Sequence, residues 1–434
     1  MSLALLVLSA LAFSPQEGLS LQPADGDLLP EMLAQIDAAE LRDHVDTLVE
    51  FHTRNTFSTV DSETQGIGAA RRWLEADLQR TSEESDGRLQ VRTQTFEATM
   101  RSRSGRRTAE FVNVLGFLPG RIGDEKGRTY IVSGHYDSII NDPFDPDAFA
   151  PGADDDASGT AVVLELARVM SKYEFDANLI FCCAAGEEQG LFGAKHLSAW
   201  AEENGIDVDG MITNDIVGGI EGGNGVVDEH TLRIFSGGEG LHDPSRELAR
   251  RVWECSRKYA TDSEVQLIFR LDRFGRGGDH IPFHERGVPA VRFTEANENY
   301  ARQHKKVAEI GGQQYGDLPE YVSEAYMMRV ARTNAAILGE LALAPAPPSN
   351  VRLRAAMQYD TTVSWDPSPS DADRVAGYVV VWRETTSPVW QHQSELIEGT
   401  RTKIEGVIAD NHFFGLRAVG KNDHMSRTAI PARP

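Results

Sequence analysis

Between Arg128 and Glu188 two apolar runs and the loop that joins them each end in, or carry, a cluster of ligand-type side chains. No other stretch constrains the chain as much. The first run, RTYIVSGHYDS, delivers His135 and Asp137. The loop PGADDDASG carries Asp154, Asp155 and Asp156. The second run, NLIFCCAAGEEQG, ends at Glu187 and Glu188. Short apolar runs bounded by turn residues are buried strands. Polar groups at the ends of neighbouring strands converge on one crevice. Imidazole and carboxylate converging in this way suit zinc, and two bridged metals can activate one water.

The surrounding pattern alternates strand and helix. Leu28 to Arg80 reads as helical, broken by a polar loop from Thr53 to Thr64. Leu89 to Phe117 alternates as strands, and Leu118-Pro119-Gly120 ends it. Ser158 is placed to cap the apolar helix GTAVVLELARVMSKY. A helix LFGAKHLSAWAEEN follows the second run, and a strand over Gly210–Thr213 ends at Asn214-Asp215. Ser245–Ala260 reads as helix, Val288–Phe293 as strand and Leu318–Leu343 as a closing helix. This predicts an α/β fold with a mixed, mostly parallel sheet flanked by helices, its ligand site outside the carboxyl ends of the strands. The domain spans residues 28–343. A proline run at 344–348 predicts a stiff linker. Beyond it, residues 349–434 hold short strands such as TTVSWDP and GYVVVWRET, predicting an all-β sandwich.

The net charge of −23 argues against nucleic acid or an anionic membrane as partner, since both require a basic face. The three cysteines imply no disulfide framework, and Cys182 and Cys183 sit inside an apolar run as buried thiols. Residues 1–16 hold an apolar run of signal-peptide length ending near Ala10-Leu11-Ala12, too short to span a bilayer. A cleaved export signal is expected, and with it a secreted, periplasmic or extracellular location. No later stretch reads as a membrane span.

Each cluster alone has a plain structural reading. His135 could be a hydrogen-bonded structural histidine. The Asp154–Asp156 triplet could be a solvated turn or a calcium loop. Glu187-Glu188 could be an acidic pair at a helix N-terminus. Their conjunction changes this: five like-signed carboxylates in one crevice would repel one another without cations, and bound metal is the simplest resolution.

GHYDS, PGADDDASG, AGEEQGLFGAKH and the later NDI resemble the di-zinc aminopeptidase family, whose wider superfamily includes glutamate carboxypeptidase and the transferrin receptor. The resemblance covers Ile36–Leu343. The 27 residues from Glu188 to Asp215 fit it, and DHIPFHERGVPAVRFTEANENYARQH supplies a last histidine. It implies two zinc ions: His135 and Asp215 on one, Glu188 and His304 on the other, and Asp155 bridging them. His280 is the rival to His304. Glu187 would be the general base and Asp137 would orient the His135 ring. A cis peptide between Asp155 and Asp156 is also implied. Arg276 and Tyr300 fall near substrate-contacting positions. His44, His52, His196, His242 and His284 read as surface or packing residues.

The activity implied is that of a zinc aminopeptidase acting on peptides or proteins with a free N-terminus. Alternatives on the same fold are a carboxypeptidase or dipeptidase, and a metal-free receptor or adhesion protein. Glutaminyl cyclase relatives use a single zinc, which the full ligand set argues against. The C-terminal module resembles a fibronectin type III domain, with Trp365 and Tyr378 in its core and His412 at the family's corner-tyrosine position. Its expected role is a spacer or surface contact.

Overall fold

The structure, a computed structural model, describes residues 18–19, 22–102, 105–238, 243–368 and 372–431. The expected export signal and His242 lie outside the described residues. Three helices open the chain: α1 (Leu29–Leu33), α2 (Ala38–Glu50) and α3 (Gly66–Glu84). Asp37 starts α2 by accepting a hydrogen bond from Ala39 N at 2.8 Å. A long hairpin follows, β1 (Gln90–Ser102) and β2 (Gly105–Leu118), paired along its whole length.

The core α/β series then runs β3 (Thr129–His135), α4 (Gly159–Met170), β4 (Asn178–Ala184), α5 (Phe192–Asn204) and β5 (Val208–Asn214). After it come β6 (Thr231–Ser236), α6 (Pro244–Tyr259), β7 (Glu264–Ile268), α7 (Ile281–His284) and β8 (Ala290–Glu295). A small hairpin, β9 (Ala308–Ile310) and β10 (Gln313–Tyr315), precedes the closing helix α8 (Glu324–Leu343). Eight strands form one sheet in the order β1-β2-β4-β3-β5-β8-β6-β7. The centre, β4-β3-β5-β8, is parallel. Every residue of β3 and β4 is buried, because helices cover both faces of that part of the sheet. The α4 helix is buried on all sides except at Arg168, and it contacts β3, α2, α3 and α8.

Three expectations are corrected in detail. Ser158 does not cap α4: its hydroxyl donates to the Asp154 carbonyl at 2.7 Å, and Asp156 Oδ1 accepts from Gly159 N at 2.9 Å instead. The closing helix begins at Glu324 rather than Leu318. Arg42 takes the carbonyls of Pro319 and Val322, and Ser323 Oγ accepts from Tyr326 N as the cap. β6 (TLRIFS) and β7 (EVQLI) are short alternating strands with no counterpart among the expected ones. β6 runs antiparallel to β8, so the sheet is mixed on both flanks.

Ala344 continues the chain with φ −73° and ψ 157°, the extended conformation expected of the proline run, but Ala344 and Ala346 are buried. Two three-stranded sheets follow. One is β11 (Ser349–Arg354), β12 (Thr361–Asp366) and β15 (Arg401–Ile404); the other is β14 (His392–Gln393), β13 (Val375–Glu384) and β16 (His412–Gly420). They share one core that includes Trp365, Tyr378, Val380 and Leu416. No helix among the described residues is long and apolar enough to cross a membrane.

Candidate metal centre

The carboxyl ends of β3, β4 and β5 meet at one place. β3 ends at His135, the turn after β4 carries Glu187 and Glu188, and β5 is followed by Asp215. Between β3 and α4 the chain makes an irregular turn over 153–158, and its Asp155–Asp156 peptide is cis. Close backbone approach makes this packing possible. A Cβ at Gly134 would lie 2.4 Å from the Gly159 carbonyl carbon, and one at Gly159 would lie 2.2 Å from the Asn214 carbonyl oxygen. Only glycine fits at either position.

Two sets of ligand atoms result, one of His135, Asp155 and Asp215 and one of Asp155, Glu188 and His304; within each, the atoms lie within 4.8 Å of one another. His135 Nε2 is 3.2 Å from Asp155 Oδ1 and 3.9 Å from Asp215 Oδ1. His304 Nε2 is 2.9 Å from both Asp155 Oδ2 and Glu188 Oε1. Asp155 thus turns one oxygen toward each set. His135 Nε2, Asp155 Oδ2 and Glu188 Oε1 are buried, and though close to other ligand atoms none of them makes a well-directed hydrogen bond. Native interiors rarely leave such atoms unpaired, and here all three belong to the predicted ligand sets. The residues present therefore fit metal.

Each predicted site residue can be placed. His135, Asp155, Asp215, Glu188 and His304 come together. Glu187 lines the same pocket, a cavity of about 180 Å³ also bounded by Arg273, Arg276 and Gly277. Arg276 therefore stands beside the two ligand sets. Tyr300 does not line the cavity and is 69% exposed. His280, the rival ligand, is buried elsewhere, with Nε2 against the Leu271 carbonyl at 2.6 Å. The position of Asp137 refines its expected role. Its main-chain carbonyl lies 3.1 Å from His135 Nδ1, whereas its carboxylate lies 3.6 Å away, beyond hydrogen-bond length. The carboxylate instead accepts from the backbone N–H groups of Glu187 and Glu188, at 3.1 and 3.3 Å, and anchors the turn that presents them.

Comparison with known proteins identifies the family of the chain. The profile of peptidase family M28 matches residues 113–325. A protein of Leptosphaeria maculans named as a probable zinc metalloprotease is 38% identical over 428 residues, 94% of this chain and 98% of its own length. The chain belongs to peptidase family M28. Among solved structures, the fold is similar to that of the Legionella pneumophila LapA aminopeptidase (TM-score 0.56, 19% identity, covering 76% of this chain and 78% of that one). It is also similar to an aminopeptidase from Aneurinibacillus sp. strain AM-1 (TM-score 0.52, 16% identity, 71% and 95%). A glutaminyl cyclase from Fimbriiglobus ruber shares it too (TM-score 0.52, 21% identity, 70% and 95%). At these identities the likeness is one of fold.

The electrostatics of the M28 site follow from burial and mutual repulsion. Burial, with Asp215 and Glu188 nearby, raises the Glu187 carboxyl well above the ordinary range. Burial and Asp155 push Glu188 up to about 7. Burial works against a charge on His304, but Glu188 and Asp155 outweigh it and raise the ring to about 11. Burial also opposes charge on Asp155, yet the His304 and His135 rings hold it well below the usual range. Without metal, protons on the histidines and carboxyls do the neutralising that a cation would do.

Several residues around the site have no counterpart in the expected set. Arg292 is fully buried in β8, 2.7 Å from Asp215 Oδ1. An arginine inside an apolar strand is a visible signal, since such a residue needs a buried partner. Arg273 is held by Glu298 at 3.0 Å, the same carboxylate that takes the expected Arg276 at 2.7 Å. Arg54 reaches the carbonyls of Pro151 and Gly152, and Asp317 the turn at 153–158, from distant segments, and nothing in their local sequence marks them.

Proposed function

We propose that this protein is a zinc metalloprotease carrying two zinc ions and acting as an exopeptidase, an aminopeptidase first of all. The observation that carries the reading is the pair of ligand sets sharing Asp155, with buried, unpartnered atoms in both. His135 and Asp215 would hold one zinc, Glu188 and His304 the other, with Asp155 shared between the two sets. Bound there, zinc supplies Lewis acidity toward a peptide carbonyl and makes water acidic enough to attack near neutral pH. The rest falls to the chain. Glu187, raised by burial and beside both ligand sets, takes a proton from the attacking water and passes it to the leaving amine. Asp137 fixes the backbone of Glu187 and Glu188, so base and ligand keep their spacing. The complete ligand set speaks against a single-zinc glutaminyl cyclase and against a metal-free receptor, both of which this fold can host. The apolar N-terminal run supports export, and the strand pattern and core of the C-terminal sandwich support a fibronectin type III module.

A second reading rests on the cavity's other charges. Outside the ligand sets and Glu187, its charged lining residues are Arg273 and Arg276. Arg276 uses Nη1 for Glu298 and Gln303, and its Nε–Nη2 edge makes no hydrogen bond to a described residue. That edge is a fork suited to a carboxylate, which favours a carboxypeptidase or dipeptidase. Mass spectrometry of one peptide incubated with the zinc-loaded protein separates these readings. A ladder shortening from a free N-terminus, abolished by N-acetylation, is expected. Loss from the C-terminus would move the assignment to a carboxypeptidase, and no cleavage of either peptide would count against the exopeptidase reading.

A further inference from the structure

The turn that carries Asp155 is held from outside by one carboxylate. Asp317, 5% exposed, lies between β10 and α8. Its Oδ1 accepts from Asp154 N at 2.9 Å, and its Oδ2 accepts from Asp155 N at 2.8 Å and Asp154 N at 3.0 Å. Its main-chain carbonyl accepts from Ala153 N at 3.3 Å. Three successive N–H groups of the turn therefore end on one residue. Other anchors hold the flanks. Asp156 ties the turn to His135 N, and Arg54, fully buried, donates to the carbonyls of Pro151 and Gly152. Among the described residues only Asp317 reaches the backbone N–H of Asp155 itself.

The same excursion supplies the outermost ligand. His304 stands 13 residues before Asp317 and is the most exposed of the ligand set, at 35%. Gly316 N donates to the Ala301 carbonyl at 3.2 Å, closing the excursion onto the segment that carries His304. One loop thus provides a ligand of one set and grips the backbone of the carboxylate common to both.

We infer that Asp317 is a positioning residue for the shared Asp155, fixing the orientation that divides its two oxygens between the ligand sets. This rests on the two-set reading above. A group supporting a metal ligand from outside changes metal affinity or activity by about 10–100-fold when removed. Asp317→Asn keeps the size but offers one acceptor oxygen in place of two. It is expected to weaken zinc retention against a competing chelator by roughly that factor and to lower kcat with KM little changed. Asp317→Ala should lose more. The metal-free Asn variant should melt within a few degrees of metal-free wild type, a result that a merely structural role would not give. Unchanged zinc affinity and kcat in a folded Asn variant would overturn the assignment.

Hydrogen exchange on metal-free wild type gives a test that needs no variant. The amides of Asp154 and Asp155 should be protected, and free exchange at both would also overturn it. That failure is distinct from a failure of the zinc reading, which would show as wild-type protein retaining no zinc.

Discussion

Two clusters of charge are buried in this molecule, and they end in opposite states. The first is the ligand site. The second lies where α6 and α8 meet the C-terminal sandwich. There Glu254 accepts from Arg417 at 2.8 Å and is also paired with Arg251. Glu340 receives Arg251 at 3.0 Å, the Tyr259 hydroxyl at 2.8 Å, Lys258 at 3.4 Å and the His424 ring at 2.9 Å. The atoms left over at this interface are guanidinium nitrogens, Nε of Arg251 and Nη1 of Arg417. At the ligand site they include carboxylate oxygens and an imidazole nitrogen. A closed network of this kind locks two units together, whereas an open one is set up for a cation. The sandwich is therefore fixed to the peptidase domain by buried pairs, and by Arg427 on Asp209 and Trp390 on Glu247, rather than held off at a distance by its proline run.

The comparison can be broken most sharply at the open cluster. Glu187→Gln should lower kcat by about 10²–10⁴-fold while zinc content and melting temperature stay near wild type. Retained turnover would remove Glu187 as the base. At the closed cluster the effect should fall on stability. Glu254→Ala leaves Arg251 and Arg417 short of their partner in a buried site and should cost about 3–5 kcal/mol in urea unfolding. The kcat per folded molecule should not change, and loss of zinc from that variant would show that the two clusters are not separate.

Acidity should then act on the two clusters with opposite sign. Burial alone would raise Glu340 and Glu254, but His424, Arg251 and Arg417 outweigh it and hold both below the ordinary range. Their contribution is present above the unfolded carboxyl pKa and fades as pH falls through the folded values. At the ligand site Glu188 is raised to about 7 and His304 to about 11. The folded, metal-free site therefore holds protons that the unfolded chain has released, so stability declines as pH rises from 5 to 8. Metal-free protein should melt lower at pH 8 than at pH 5. Zinc at a thousandfold excess over its Kd should add about 4 kcal/mol. A metal-free melting temperature that rises across this window would contradict the open-cluster reading. The smallest effect is expected at the rim of the closed cluster. Lys258→Met removes the longest contact to Glu340 and should cost no more than about 1 kcal/mol in the same urea assay.

The fold and most members of the two candidate ligand sets were legible in the sequence because local physics encodes them. Apolar runs too short for helices become buried strands, and a hydrophilic residue at the end of such a run has to face the crevice. His135, Glu187, Glu188 and Asp215 are all of this kind, and the Asp155 loop joins two such elements. His304 is not, because it stands in an irregular segment with a positive φ of 50°, and only family order separated it from His280. The structure separates them by placing His280 against the Leu271 carbonyl and His304 against Asp155 and Glu188.

By itself, then, the sequence determined most of the elements and their order, the crevice at the strand ends and the chemical type of the groups within it. Tertiary structure alone decided which buried carboxylates are neutralised and which stay open. That choice depends on pairs such as Asp317 with Asp155, Arg251 with Glu340 and Arg417 with Glu254, each separated by 89 to 163 positions. Periodicity reports which face of an element is buried, but it carries no record of which distant side chain will be waiting there.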